Sequence, residues 1–243
     1  MELTDIKVKI RQSLDFLLTL VLCNNAKLLF AVRKVEGLSS FVENEFFFKC
    51  ARDGFGKGLI VEIGCYKGRS TIALALGSKS KNREKVYVID PLDEPRSREV
   101  FLKNIREAGV EDYILPDFRK SEEAAGEFDG GIRLLFIDGS HVYEDVRNDI
   151  LLWKKFMIEG GIIILHDYFP KGHRYYIDGV HRAVEQFIKN SPDFIAEGWI
   201  DSTFFAAKII SPRHSFFKTF NRFNRARVFL KFLLDLSFLK TSA

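Results

Sequence analysis

The stretch Leu59-Ile60-Val61-Glu62-Ile63-Gly64-Cys65-Tyr66-Lys67-Gly68-Arg69-Ser70-Thr71 decides how the rest of the chain is read. An apolar run reaches an acid, then two glycines four positions apart, then two hydroxyls that open a helical pattern. That is a strand, a tight turn and a helix N-terminus. Such a turn lets a ligand lie against bare backbone, where the amides of the helix start point outward. The spacing excludes two common phosphate-binding loops: G-x-x-x-G is not the dinucleotide fingerprint G-x-G-x-x-G, and the chain has no Gly-Lys-Ser/Thr. Taken alone, the segment also fits an ordinary strand-to-helix turn of some other α/β protein.

Working outward, short runs rich in Ile, Leu and Val at Leu59–Ile63, Lys85–Ile89, Tyr113–Pro116, Ile132–Ile137 and Ile162–Leu165 read as strands. Between them, Ser70–Leu76, Ser97–Ala108, Ser121–Glu127 and Tyr143–Met157 carry helical patterns. Strands alternating with helices of this length imply parallel βαβ units in an open sheet covered on both faces. A polar, aromatic loop (Tyr168–Ile177) and a helix over Asp178–Lys189 follow. Two closing strands, Phe194–Trp199 and Thr203–Ile210, are separated by Asp201-Ser202, which predicts an antiparallel hairpin. The fold class expected is α/β, a doubly wound Rossmann-like sheet of about seven strands, five parallel plus the hairpin. Extra helices stand at both ends, over residues 4 to about 35, over Phe41–Arg52, and in the tail. The division expected is a helical segment over 1–57, a catalytic domain over 58–211 and a C-terminal helix over 212–243.

Composition narrows the class. An apolar fraction of 47% and a charged fraction of 29% fit neither a disordered chain nor an integral membrane protein. Phe16 to Val32 is apolar but broken by Asn24, Asn25 and Lys27, short of a membrane span. Cys23, Cys50 and Cys65 are scattered, which suits a reducing compartment and argues against a disulfide framework or a zinc site. With no signal-peptide pattern at the start, the location expected is cytoplasmic. The net charge of +4 is uneven: residues 213–243 hold seven basic residues against Asp235, a net +6, which leaves 1–212 at −2. No nucleic-acid motif accompanies that basic tail, so no nucleic-acid partner is expected. The tail from His214 to Leu239 reads as an amphipathic helix. It packs on the parent domain or on another copy, or docks peripherally on a membrane surface.

In open α/β sheets ligands bind beyond the carboxyl ends of the strands, near the switch in strand order. Asp90 ends the second strand; it accepts both hydroxyls of a ribose, or caps the turn before Pro91. Asp117, Phe118 and Ser121 follow the third, where an adenine would lie; Phe118 is equally a core residue. Phe136-Ile137-Asp138-Gly139-Ser140-His141 ends the fourth strand and Ile164-Leu165-His166-Asp167-Tyr168 the fifth. Neighbouring strands lie about 4.8 Å apart, so Asp138 and Asp167 would converge as oxygen ligands do on a hard divalent cation. His141 has a resting pKa suited to taking a proton from an acceptor. His166 reads as a third ligand, a support behind the ligands, or a buried histidine. The blander account makes Asp138 a helix cap and Asp167 an acceptor of loop amides. The loop Tyr168–Ile177 would lie over an acceptor pocket, its aromatics stacking on a sugar or ring, or would be plain surface.

The acidic-x-Gly-x-x-x-Gly pattern of Glu62, Gly64 and Gly68 resembles the first motif of class I S-adenosylmethionine-dependent methyltransferases. The segments 136–144, 149–153 and 160–168 resemble a narrower group, the macrocin-type and cephalosporin-hydroxylase-like O-methyltransferases, over residues 40 to 210. The resemblance implies a methyl-donor site at Glu62, Gly64, Tyr66, Gly68, Ser70, Asp90, Asp117, Phe118, Ser121 and Asp138. It implies Mg²⁺ at Asp138 and Asp167, joined by His166, with His141 as base beside Asp138. The activity implied is methyl transfer from S-adenosylmethionine to a hydroxyl of a small molecule or glycan. A methyltransferase-like fold acting as a membrane-associated or scaffolding module is the alternative. One departure is plain: members acting on macrolide sugars carry an acid immediately before the second metal aspartate, where this chain has His166.

Overall fold

The computed structural model describes residues 25–169 and 171–209. Five strands run parallel: β1 (Leu59–Ile63), β2 (Val86–Ile89), β3 (Ile114–Asp117), β4 (Ile132–Ile137) and β5 (Met157–Leu165). β6 (Phe194–Ile200) and β7 (Thr203–Lys208) form the antiparallel hairpin, and β7 pairs antiparallel with β5. The sheet order is β3-β2-β1-β4-β5-β7-β6. β1, β2 and β4 are apolar along most of their length because both sheet faces are covered.

One face is covered by α1 (Ala26–Arg33), α2 (Phe41–Asp53), α3 (Arg69–Ser80) and α4 (Ser97–Glu107). The other is covered by α5 (Ser121–Glu127), α6 (Tyr143–Trp153) and α7 (Asp178–Val184), the last continuing as a π-helical turn over Glu185–Lys189. α2 starts at a reciprocal cap: Ser40 accepts the Glu43 amide while Glu43 accepts the Ser40 amide. Although it lies in the 1–57 segment, α2 belongs to the core. Phe46 packs on Phe205, Phe47 packs on Phe136, and Phe46 and Phe47 are fully buried.

Several boundaries differ from the sequence reading. The helix expected over Tyr143–Met157 ends at Trp153, and β5 begins at Met157 rather than Ile162. Gly160 stands there at φ 78° and the pairing with β4 slips, so a strand with a bulge reads as a glycine loop. α3 extends to Ser80, through a Gly-Ser-Lys-Ser run that carries no apolar periodicity. Asn25 is the N-cap of α1, so a helix start lies inside the span read as one helix over 4–35. The earlier part of that span and the amphipathic tail over 214–239 lie outside the described residues. Among the described residues no helix is long and apolar enough to cross a membrane.

The chain lays down β1, β2 and β3 outward in one direction, then returns to place β4 on the other side of β1. The order reverses between β1 and β4. In register, Ile63 lies beside Ile89 and Ile137, and Ile137 beside Leu165. The carboxyl ends of the four central strands are therefore level.

Candidate active site

That level edge sets the next residue of each strand in one row. The ladder runs one step past the strands: Gly64 donates to the Ile89 carbonyl, Asp138 to Ile63 and His166 to Ile137, at 2.8–3.1 Å. Gly64, Asp90, Asp138 and His166 therefore stand side by side at the reversal of strand order, where open α/β sheets bind ligands.

The glycine turn is shaped by close backbone contact. Gly64 has φ 83°, and a Cβ there would lie 2.3 Å from the Asp138 carbonyl oxygen, so β1 and β4 meet here without a side chain between them. Asp90 fixes the outgoing backbone. Its Oδ2 accepts the amides of Cys65 (2.8 Å) and Tyr66 (3.2 Å), and its Oδ1 accepts that of Leu92 (3.0 Å). Below the turn Glu62 is fully buried, and Ser70 and Thr71 each donate a hydroxyl to it at 2.6 Å. Burial pushes the Glu62 carboxyl up to about 8 despite those two bonds, and the nearby Asp138 and Asp90 charges add to the rise.

On the other side of the row, one ligand atom each of Asp138, His141 and Asp167 lies within 4.8 Å of the others. His141 Nε2 is 2.9 Å from Asp167 Oδ2. Asp167 stands at φ 58°, a left-handed conformation that Asp tolerates. His166 takes a different place from the one expected of a metal ligand. Side chains alternate along a strand. Ile162 and Ile164 face the α2 layer, and His166 continues that side, against Phe136 and Glu43. Its Nδ1 is 3.2 Å from Asp138 and 3.4 Å from Asp167, and its Nε2 is 3.5 Å from Glu43. His141, not His166, joins the two aspartates in the group with metal-ligand spacing.

The charges interlock. Burial disfavours a charged His166, but the Asp138 charge and bonds to Asp138, Asp167 and Glu43 outweigh it and raise its pKa well above the usual value. Burial lifts Asp138 above the ordinary carboxylate range. Asp167 and Glu43 sit below that range, because their hydrogen bonds and charge pairing with His166 overcome burial. Glu43 also accepts the Ser202 amide, the Ser202 hydroxyl and the Thr203 hydroxyl at 2.8–3.1 Å. In the sequence Glu43 is legible as a helix cap; its partnership with His166, far along the chain, is not.

Two cavities open on this row. The larger, about 600 Å³, is lined by Gly64, Asp90, Ser121, Asp138 and Asp149 among others. The smaller, about 330 Å³, is bounded by His141, Asp167 and Arg69, and by Glu36–Ser39, the loop between α1 and α2. Gly64, Tyr66, Asp138 and Gly139 line both, so they form the wall between them. Tyr66 donates its hydroxyl to Glu36 at 3.0 Å, and Arg69 donates to the Gly37 carbonyl at 3.1 Å, which ties that loop to the glycine turn.

Several residues expected at the donor site stand elsewhere. Glu62 lines neither cavity; its carboxyl is spent under the turn on Ser70 and Thr71. Gly68 lines neither and is the left-handed N-cap position of α3, against Phe101. Ser70 lines the smaller cavity rather than the larger. Asp117 is taken by the Tyr87 hydroxyl and by Arg119, which folds back onto it from two residues on. Phe118 lies under the Arg98 guanidinium and edge-on to Phe101. Both are held by these neighbours and line neither cavity, although Ser121, a few residues on, lines the larger one. The described aromatics of Tyr168–Ile177 line neither cavity. They stack among themselves and on α7, Phe169 on His173 at 4.8 Å and Tyr168 on His181 at 5.1 Å.

Comparison with known proteins agrees with this geometry. Residues 61–168 match a family described as a methyltransferase domain. A protein of Acanthamoeba polyphaga mimivirus, uncharacterized protein R132, is 32% identical over 114 residues, covering 44% of this chain and 50% of that protein. The chain thus spans about half the length of this curated relative. Among solved structures, a putative O-methyltransferase from Klebsiella pneumoniae superposes with a TM-score of 0.61 at 16% identity, over 82% of this chain and 97% of that one. An S-adenosylhomocysteine-bound methyltransferase from Podospora anserina gives 0.58 at 18% identity, over 76% and 88%. An O-methyltransferase from Bacillus cereus in complex with S-adenosylhomocysteine gives 0.54 at 18% identity, over 71% and 83%. These structural likenesses carry the fold. Over residues 61–168 the chain matches a methyltransferase domain, and its fold is the one these methyltransferases share.

Proposed function

We propose that this chain transfers a methyl group from S-adenosylmethionine to a hydroxyl of a small molecule or glycan, assisted by a divalent cation. The observation that carries the reading is the position of Asp138, beside His141 and Asp167, in the wall shared by two cavities. The larger cavity suits the donor. Asp90, which spends three of its roughly four acceptor sites on the amides of Cys65, Tyr66 and Leu92, keeps one for a ribose hydroxyl, and Ser121 lines the same cavity, where an adenine would lie. The smaller cavity suits the acceptor.

Asp138 and Asp167 fit a hard cation, since both offer carboxylate oxygens from adjacent strand ends. Bound there, such a cation lowers the pKa of an acceptor hydroxyl. A Mg²⁺ ion prefers oxygen ligands, which leaves His141 for the proton. With its Nε2–H donated to Asp167, the imidazole keeps Nδ1 free to accept it, the aspartate fixing the tautomer. The acceptor oxygen, its proton passed to His141, forms the new O–C bond in line as the S–C bond breaks and the thioether departs. Holding two reactants in that line supplies most of the rate. His166 and Glu43 stay behind the aspartates and hold them in place.

Calorimetry with S-adenosylmethionine, with and without Mg²⁺, tests the reading on wild type, Asp90→Ala and Asp138→Asn. The expected result is binding by wild type, a loss of about tenfold or more in Asp90→Ala, and a Mg²⁺ effect that disappears in Asp138→Asn. No binding by wild type under either condition sinks the donor assignment. A Mg²⁺ effect that survives in Asp138→Asn removes only the metal.

A further inference from the structure

Large apolar side chains left in water gather on one edge of this molecule. Of the eight that the described surface exposes, five stand at the carboxyl edge of the sheet: Leu38, Tyr66, Val142, Tyr175 and Trp199. Topology puts them there. Tyr66 follows β1, Val142 lies between β4 and α6, and Tyr175 is in the loop after β5. β6 is antiparallel to β7, and β7 to β5, so Trp199 near the end of β6 reaches the same edge. Leu38, in the loop between α1 and α2, is 92% exposed at the smaller cavity.

Ligand cavities account for only part of this. Leu38 and Tyr66 line them; Val142, Tyr175 and Trp199 line neither, yet are 54–59% exposed. These three belong to one stretch of surface. The Tyr168 amide donates to the Ser202 carbonyl at 2.8 Å, which sets the β6–β7 turn against the start of the loop that carries Tyr175. Just past that loop, Gly179 packs on the His141 carbonyl, beside Val142. The loop also supplies charge, with Lys171, His173 and Arg174 within four positions. Among the described residues no acid pairs with Lys171 or Arg174, and the Arg174 guanidinium lies over the Tyr175 ring at 4.4 Å.

We infer that this edge docks on an anionic membrane surface, Tyr175 and Trp199 entering the headgroup region while Lys171 and Arg174 meet lipid phosphates. Rings with a polar tip settle at the boundary between water and hydrocarbon, and cations beside them are drawn to negative headgroups. A protein partner fits less well, because the centre of a protein interface is depleted in charge, and here the cations sit among the apolar groups. The net +6 of residues 213–243 supplies a second attraction to the same kind of surface. Docked in this way, the smaller cavity opens toward the bilayer, so the acceptor hydroxyl belongs to a molecule held in the membrane. That last consequence rests on the smaller cavity being the acceptor site; the docking itself does not.

The chain's two tryptophans make the test direct, since Trp153 is fully buried and Trp199 is exposed. The full chain is mixed with vesicles of phosphatidylcholine alone, or of phosphatidylcholine with about 30% phosphatidylserine. Binding is expected to be about tenfold or more tighter to the anionic vesicles and to weaken with salt. Lipids brominated along the acyl chain just below the headgroups are expected to quench about a third or more of the emission, and Trp199→Phe to abolish that quenching. Charge reversal by Lys171→Glu with Arg174→Glu, which leaves the basic tail untouched, is expected to weaken binding about tenfold or more.

No binding to anionic vesicles overturns the inference; if the protein then sediments as a dimer, the edge is the face of a second copy. Binding with Trp199 unquenched overturns it, as does wild-type affinity in the charge-reversed variant, because either result assigns the attraction to the tail. Should that variant fail to fold, quenching in wild type decides. Neither donor nor acceptor is present in these measurements. Their failure therefore leaves the methyl-transfer reading standing, and failure of donor binding leaves the docking standing.

Discussion

At the residue scale the instructive group is Glu62. In sequence it is the acid of the glycine motif and invites a direct role on the ligand. In the structure both its oxygens are held by Ser70 and Thr71, and burial raises its pKa to about 8. An acid that keeps its proton when folded but loses it when unfolded has a definite sign in pH. The folded state binds more protons than the unfolded one between the ordinary carboxylate value, near 4.5, and about 8. Stability is therefore fully present below that window and falls as pH rises through it, by at most about 1.4 kcal/mol per unit. Denaturant titrations of wild type from pH 5 to pH 8 are expected to show this decline, and Glu62→Gln to show a flatter profile. A profile of equal slope in the variant would place the titration elsewhere. Asp149, which lines the larger cavity, is the counterpart, lifted to about 6 by burial against the pull of Ser121.

At the element scale, the turn between β1 and α3 matters more than either element. Its shape is enforced from two neighbouring strands: Asp90 at the end of β2 gathers its amides, and the Asp138 carbonyl at the end of β4 presses on Gly64. Gly64→Ala puts a Cβ into that carbonyl at a left-handed φ. The expected cost is about 2 kcal/mol or more of stability, with loss of S-adenosylhomocysteine binding even where the variant folds. A chemical denaturation midpoint and a binding isotherm on the same preparation check both parts. A variant of wild-type stability with wild-type affinity would show that the turn relaxes freely. The same scale explains where the sequence misleads. Gly160-Gly161 reads as a loop but is a bulge inside β5, because strand pairing with β4 and β7 holds what local propensity would not.

For the whole molecule, Glu43 is the tie between distant parts. It caps α2, accepts three hydrogen bonds from Ser202 and Thr203 at the closing hairpin, and faces His166 behind the aspartates. Glu43→Ala leaves a buried imidazole and several donors without their partner. It is expected to lower unfolding free energy by about 3–5 kcal/mol, the range for breaking a buried charge pair. Thermal and denaturant unfolding measure it, and a loss under about 1 kcal/mol would show that the pair is not the tie the geometry makes it. Periodicity along the chain determined the strand and helix alternation, the hairpin and the glycine turn, because these are local patterns set by side-chain alternation and backbone freedom. It also brought Asp90, Asp138, Asp167 and His141 forward, since each directly follows or closely trails a strand end. Tertiary structure alone decided the partners. Tyr87, Arg119 and Arg98 engage Asp117 and Phe118 away from the cavities, while strand alternation turned His166 to Glu43 and left His141 in the group with metal-ligand spacing. Asp149 and Glu43 acquire their meaning only where residues remote in sequence meet in low-dielectric surroundings, and no one-dimensional pattern records that meeting.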